Sequence, residues 1–238
     1  MDALSHPLQR LQAWLLPWRC LLCGAAGADG LDLCRACAAE LPRNHHCCAR
    51  CALPLPGSVA SCGACQRKPP PWQAAWAPFR YGWPLDRLEA RYKFGRELAA
   101  GRTLAELWQR LPPPLARPAL ILPVPLHRAR LRQRGYNQAL ELARPVGRAL
   151  GIPVRHDVLL RARATAAQTE LDAAMRRRNV RGAFALRDPV ALPAHVAVLD
   201  DVMTTGATLA ECARVLRRAG VARVDVWALA RAPSPRGR

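Results

Sequence analysis

Eight cysteines, set as four CxxC pairs within the first 65 residues, constrain this chain more than any other feature of its sequence. Cys20 and Cys23 are followed by Cys34 and Cys37, and Cys48 and Cys51 by Cys62 and Cys65. Every position of the second set lies 28 residues after its counterpart in the first, which marks an internal duplication. A CxxC turn puts two thiolates on one side of a tight knuckle, and two knuckles complete a tetrahedral shell around Zn²⁺. A module of about 30 residues has too little core to fold unaided, and metal binding supplies the missing free energy. Two closed four-cysteine sites leave no open coordination position, so both zinc ions are expected to be structural. Tandem pairing is the simplest arrangement, although equal spacing also permits an interleaved one. His45, His46 and Cys47 lie beside the second set but are spare, because the repeat is complete without them. The tenth cysteine, Cys212, reads as a buried small hydrophobe.

A disulfide scaffold would use the same residues, but the chain shows no secretory signal. Its Leu11 to Trp18 stretch is short, and Asp2 stands where a basic start is needed. No window approaches about 18 uninterrupted apolar residues, so no transmembrane helix is expected. A cytoplasmic location follows, and a reducing cytosol favours metal over disulfides.

The formal net charge is +19, and 34 of the 36 basic side chains are arginine, with Lys68 and Lys93 the exceptions. Residues 1–70 hold seven basic and four acidic side chains (+3), and residues 71–238 hold 29 and 13 (+16). An excess this large favours phosphorylated metabolites, nucleic acid or anionic surfaces as partners, and is also compatible with a merely solvated basic surface.

Lys68-Pro69-Pro70-Pro71 ends the cysteine module. The expected organisation is an N-terminal segment (1–19), a double zinc ribbon (20–68), a proline-rich linker (69–74), an α/β domain (75–233) and a basic tail (234–238). Ala75 to Tyr81 reads as a short strand, and Leu85 to Leu111 as helix broken near Gly95 or Gly101 and stopped by Pro112-Pro113-Pro114. From there strands and helices alternate: a strand over 119–124, a helix over 137–150, a strand over 154–160 and a helix over 171–179. A strand over 196–199, a helix over 209–219 and a strand over 224–230 complete the series. Such alternation predicts a mostly parallel α/β sheet with ligands at the carboxyl ends of its strands.

Two arginine-rich segments fall where ligand loops belong. Pro125-Leu126-His127 leads into Arg128 to Gln138, with four arginines in seven residues, and can wrap a polyanion such as pyrophosphate. Residues 161–169 with Arg176 to Asn179 read as a basic lid. Either run would also suit a solvated helix face.

The sharpest signal is Val198-Leu199-Asp200-Asp201-Val202-Met203-Thr204-Thr205-Gly206-Ala207-Thr208. Paired carboxylates at a strand end can accept hydrogen bonds from vicinal ribose hydroxyls. A threonine-glycine loop at a helix start offers hydroxyls and free amides to a monophosphate. Together they fit a ribose 5-phosphate.

This segment resembles the phosphoribosyl pyrophosphate (PRPP) motif of type I phosphoribosyltransferases. With the double CxxC module, Tyr92-Lys93-Phe94-Gly95, Pro123 to His127, Arg134 to Gln138, Gln168-Thr169 and Arg178 to Phe184, the chain resembles the ComF family (ComF/GntX type). The resemblance covers about residues 20–231. It implies a double zinc ribbon joined to a phosphoribosyltransferase-like domain, a link to natural competence, and single-stranded DNA and DNA-uptake proteins as partners. It also implies that Asp200 and Asp201 hold the ribose hydroxyls, that Thr204, Thr205, Gly206, Ala207 and Thr208 cradle the 5-phosphate, and that Pro125, Leu126, His127, Arg128, Arg130 and Arg134 face a pyrophosphate bound with Mg²⁺. No acceptor pocket is legible. An active transferase with an unidentified acceptor and a non-catalytic zinc-stabilised module are the competing expectations.

Overall fold

The computed structural model describes residues 17–112, 114, 116–163, 173–188 and 190–233. The N-terminal segment before Pro17, the 234–238 tail, and Gln168 and Thr169 of the expected lid lie outside these.

The 28-residue repeat is a repeat of backbone as well as of ligands. Cys34 starts helix α1 (Arg35–Ala39) and Cys62 starts α2 (Gly63–Arg67), with φ, ψ of −76°, 160° and −76°, 161°. Gly24 follows the first knuckle at φ 79°, and at the equivalent position Ala52 takes φ 54°. Each of these residues donates its N–H back to the first cysteine of its knuckle, Gly24 to Cys20 O at 2.8 Å and Ala52 to Cys48 O at 2.7 Å. The metal knuckle thus imposes a left-handed turn that glycine accepts freely and alanine accepts at a cost of about 1 kcal/mol.

The larger unit is a parallel sheet in the order β1(Ala75–Trp76), β7(Arg223–Arg231), β6(His195–Met203), β3(Leu120–Pro123), with β2(Phe79–Arg80) continuing beside β7. Of its two central strands, β7 is buried along nearly its whole length and β6 from Val196 to Leu199, as expected for a sheet covered on both faces. Helices α3 (Leu85–Lys93) and α4 (Leu98–Gln109) pack together, and α4 lies on α6 (Gln138–Leu150), which covers β3 and β6. Helix α8 (Ala207–Arg218) covers β6 and β7 and meets α7 (Ala173–Val180) and β5 (Phe184–Leu186). Strands β4 (Leu159–Arg161) and β5 form a separate antiparallel pair. Among the described residues no helix is long and apolar enough to cross a membrane.

Two expectations change in detail, and the helix break expected near Gly95 or Gly101 resolves to Gly95. The strand expected over 154–160 is divided: Val154 makes one parallel bridge to Ile121, and β4 begins only at Leu159 and pairs with β5. The arginine run expected as a loop is helix α5 (Arg128–Arg134), capped by His127 Nδ1, which accepts from Ala129 N, and by Gly135 at φ 85°. The break in the first long helix falls after Lys93, and Gly101 lies inside α4, where a Cβ would sit 2.4 Å from the Tyr92 ring. That glycine exists for close packing.

The ribbons share the core of the sheet. Residues 42–44 run beside β2: Arg80 N donates to Pro42 O at 2.7 Å, and Asn44 N to Pro78 O at 2.8 Å. The buried Asn44 amide donates to Ala52 O and Ala77 O, both at 2.9 Å, tying the second knuckle to the strand edge. The first ribbon is held by α3 and α4 through Arg91 to Leu21 O, Arg102 to Asp32 at 2.6 Å and Arg110 to Asp29 O at 2.8 Å.

Candidate functional site

The two cysteine groups are tandem. Cys20, Cys23, Cys34 and Cys37 gather in one cluster and Cys48, Cys51, Cys62 and Cys65 in another, with ligand atoms within 4.8 Å of one another in each. The Cys23–Cys34 and Cys51–Cys62 sulfur separations are 3.7 and 3.8 Å. A tetrahedron with Zn–S bonds of about 2.3 Å has edges of about 3.8 Å, so the donor set fits zinc. Backbone amides support it: Cys37 N donates to Cys34 Sγ at 3.4 Å and Cys62 N to Cys48 Sγ at 3.2 Å. His45, His46 and Cys47 belong to neither group, and Cys212 is fully buried on α8.

The carboxyl end of the sheet carries the second site. Register with β7 continues through Asp200↔Ala228, Val202↔Ala230 and Met203↔Arg231, so both aspartates are still in strand conformation. Asp200, Asp201, Thr204 and Thr208 line a cleft of about 410 Å³ together with Leu126, Arg130 and Arg134. Thr205, Gly206 and Ala207 line a groove beside the cleft, and Ala207 N donates to Thr205 Oγ1 at 3.3 Å. Gly206 has φ 72°, and a Cβ there would meet the Trp72 ring at 3.0 Å. Pro125, His127 and Arg128 do not line the cleft.

Lys93, Asn137, Gln138 and Arg161 also line the cleft: Arg161 comes from the segment read as a lid, Asn137 and Gln138 from the end of the arginine-rich segment, and Lys93 had no site role from sequence. Lys93 Nζ bridges Glu89 Oε2 at 2.8 Å and Asp201 Oδ2 at 2.9 Å. Burial alone would lower this ammonium, but Asp201 and Glu89 together hold it above its ordinary value. Burial pushes the Glu89 carboxyl up to about 7, against the pull of Lys93. Burial and the adjacent Asp201 carboxylate raise Asp200 well above the usual carboxylate range. On the cationic side, burial and then Arg134 lower Arg130, while burial and then Arg130 lower Arg161. Two acids and three guanidinium groups are thus gathered in one cleft, with the acids crowded against each other and the arginines likewise. A ligand with hydroxyls or a divalent cation for the acids and phosphate oxygens for the arginines would relieve both.

Arg231, the last residue of β7, joins the two sites. It is 8 % exposed, and its guanidinium donates to Met203 O at 3.1 Å, Thr204 O at 2.5 Å and Cys51 O at 2.9 Å. Trp72 Nε1 donates to Arg50 O in the same knuckle at 2.6 Å while its ring lies against Gly206. The second zinc knuckle therefore braces the threonine-glycine loop from behind.

Residues 11–66 match the double zinc ribbon domain. Over 218 residues, 89% of both chains, the sequence is 39% identical to the DNA utilization protein YhgH of Escherichia coli O157:H7. It is 37% identical to the protein of that name in Salmonella typhi over the same share. Competence protein F of Haemophilus influenzae is 38% identical over 176 residues, 71% of this chain and 77% of that protein.

Proposed function

Because the chain belongs to the ComF family, whose members include those DNA utilization and competence proteins, we propose that it binds PRPP in the cleft at the end of β6 and handles single-stranded DNA during DNA uptake. The observation that carries the PRPP reading is the gathering of Asp200, Asp201, Thr204 and Thr208 with Arg130, Arg134 and Arg161 around one cavity. Asp200 and Asp201 accept from the ribose 2- and 3-hydroxyls. The loop from Thr204 to Thr208, at the start of the 12-residue helix α8, takes the 5-phosphate with its amides and hydroxyls. Arg130, Arg134 and Arg161 take the pyrophosphate as planar forks. The carboxylates and the ligand's own phosphate oxygens are hard donors that suit Mg²⁺, which when bound neutralises pyrophosphate charge. Lys93 holds Asp201 in place from below.

Net transfer to an acceptor is the second reading, and the complete acid pair and threonine loop favour it. The anomeric carbon of PRPP would lose its bond to pyrophosphate, which leaves with the electron pair, and gain one to the acceptor through an oxocarbenium-like state.

Calorimetric titration of the zinc-loaded protein with PRPP and Mg²⁺ tests the binding. Micromolar affinity is expected, lost in Asp200→Asn/Asp201→Asn; absence of binding by the unaltered protein overturns the proposal. Pyrophosphate release on adding DNA or free bases would establish turnover.

A further inference from the structure

The groove beside the cleft has a volume of about 780 Å³ and carries no part of the PRPP contacts beyond the shared loop. One wall is a single face of α8: Ala207, Ala210, Glu211, Arg214 and Arg218 recur at helical spacing and all line it. From Ala207 to Arg218 that face runs about 16 Å, longer than a single phosphate requires. The opposite wall is the second ribbon, with Cys51, Cys65 and the Lys68 to Pro71 segment, and Arg181 contributes from beyond α7.

Charge along this groove is strongly one-sided. Lys68, Arg181 and Arg218 are exposed and make no ion pair among the described residues. Glu211 is the one acidic side chain lining it and is already compensated, accepting from Gly182 N at 2.8 Å and Arg214 at 2.7 Å. A zinc with four thiolates brings about −2 to the ribbon wall, which the three exposed cations and the buried Arg231 outnumber. Trp72 is only 4 % exposed, so it offers no face for a base to stack on. Recognition here would rest on the phosphate backbone and carry little sequence preference.

We propose that this groove between the second zinc ribbon and α8 is the track of a single nucleic-acid strand, with Lys68, Arg181 and Arg218 as its phosphate contacts and one end at the phosphate loop. The assignment rests on the DNA-handling reading above and names the surface that performs it. A crevice between two protein walls admits one strand, whereas a duplex presents its phosphates on a cylinder too broad to enter.

Fluorescence anisotropy of a labelled dT20 strand with the zinc-loaded full-length protein tests this. Lys68→Gln/Arg181→Gln/Arg218→Gln should weaken binding at least about tenfold at 0.1 M salt. It should also flatten the slope of log affinity against log salt by about 2, at roughly 0.7 per phosphate. Zinc content and PRPP affinity should be unchanged, which shows the fold intact; Lys68→Gln/Arg218→Gln, confined to two exposed side chains, should flatten the slope by about 1.4. Arg80→Gln/Arg87→Gln/Arg148→Gln removes the same charge from other exposed positions and should leave the slope within about 0.5 of the unaltered protein. Equal losses in the two triple variants, or equal affinity for dT20 paired with dA20, would overturn the groove assignment while leaving DNA handling standing. No binding of dT20 by the unaltered protein would remove the DNA-handling reading itself.

Discussion

Replacing Arg231 by methionine separates bracing of the phosphate loop from contact with ligand. Methionine keeps most of the apolar stem and removes every donor. Four carbonyls, on Met203, Thr204, Ala232 and Cys51, then lose a charged partner. Hydrogen bonds to a charged group contribute about 1.5 to 3 kcal/mol each, but the substitution also relieves the burial that lowers this guanidinium. With that offset the expected net loss is about 3 kcal/mol, within the range for breaking a buried hydrogen-bond network, which for a chain of this size lowers the melting temperature by about 6 to 12 °C. Because Met203 and Thr204 lead directly into Thr205 to Thr208, PRPP affinity should fall at least about tenfold in the same protein. The assay is thermal unfolding of the zinc-saturated variant beside titration with PRPP and Mg²⁺. A melting temperature within 2 °C of the original, with PRPP affinity unchanged, would show that these bonds hold nothing in place.

Glu89→Gln should remove a pH dependence. A carboxyl raised from 4.5 to about 7 in the folded state binds more protons than in the unfolded chain across that window, so its contribution to stability falls as pH rises, by up to about 3 kcal/mol; denaturant titrations at pH 5 and 8 should show a steeper decline in the original protein than in the variant, which keeps the contribution of the raised Asp200 carboxyl. Cys48→Ser/Cys51→Ser and Cys20→Ser/Cys23→Ser should each lose one zinc per chain, but only the former should weaken PRPP binding, since the first ribbon is held by α3 and α4; equal losses of PRPP affinity would contradict the bracing role. Gly206→Ala should cost about 2 kcal/mol through its φ of 72° and the Trp72 contact, with PRPP affinity reduced alongside; a variant as stable and as tight as the original would refute this.

Local signals located the ligands and most of the elements. The cysteine spacing is a record of backbone geometry, because a knuckle repeats its turn wherever it repeats its thiolates, even where Gly24 becomes Ala52. The strand carrying Asp200 and Asp201 extends past its apolar run, which stops at Leu199. Hydrogen bonds to β7 continue to Met203 while the aspartates face the cleft, so hydropathy marks where burial ends and not where pairing ends. The arginine run 128–134 carried helix signals in His127 ahead of it and Gly135 behind it, and its charge obscured them. Strand 154–160 divides because its two ends pair with different partners, Val154 with Ile121 of the main sheet and Leu159 to Arg161 with β5.

What sequence could not supply is the set of tertiary contacts that position the ligand residues. Lys93 stands 108 positions from Asp201, and nothing local to either shows that they meet at 2.9 Å. One compositional hint existed: a chain that uses arginine 34 times keeps lysine at 93. A compact ammonium fits between Glu89 and Asp201 where a planar guanidinium fork would not. Arg231 gave no hint, being one arginine among many near the end of a strand. Its position follows from the β6–β7 register, which places it opposite Met203, and from the second ribbon packing over that strand end. The zinc module and the Thr204 to Thr208 loop therefore form one structural unit, in which the metal fixes a knuckle and the knuckle fixes the backbone proposed to receive the 5-phosphate.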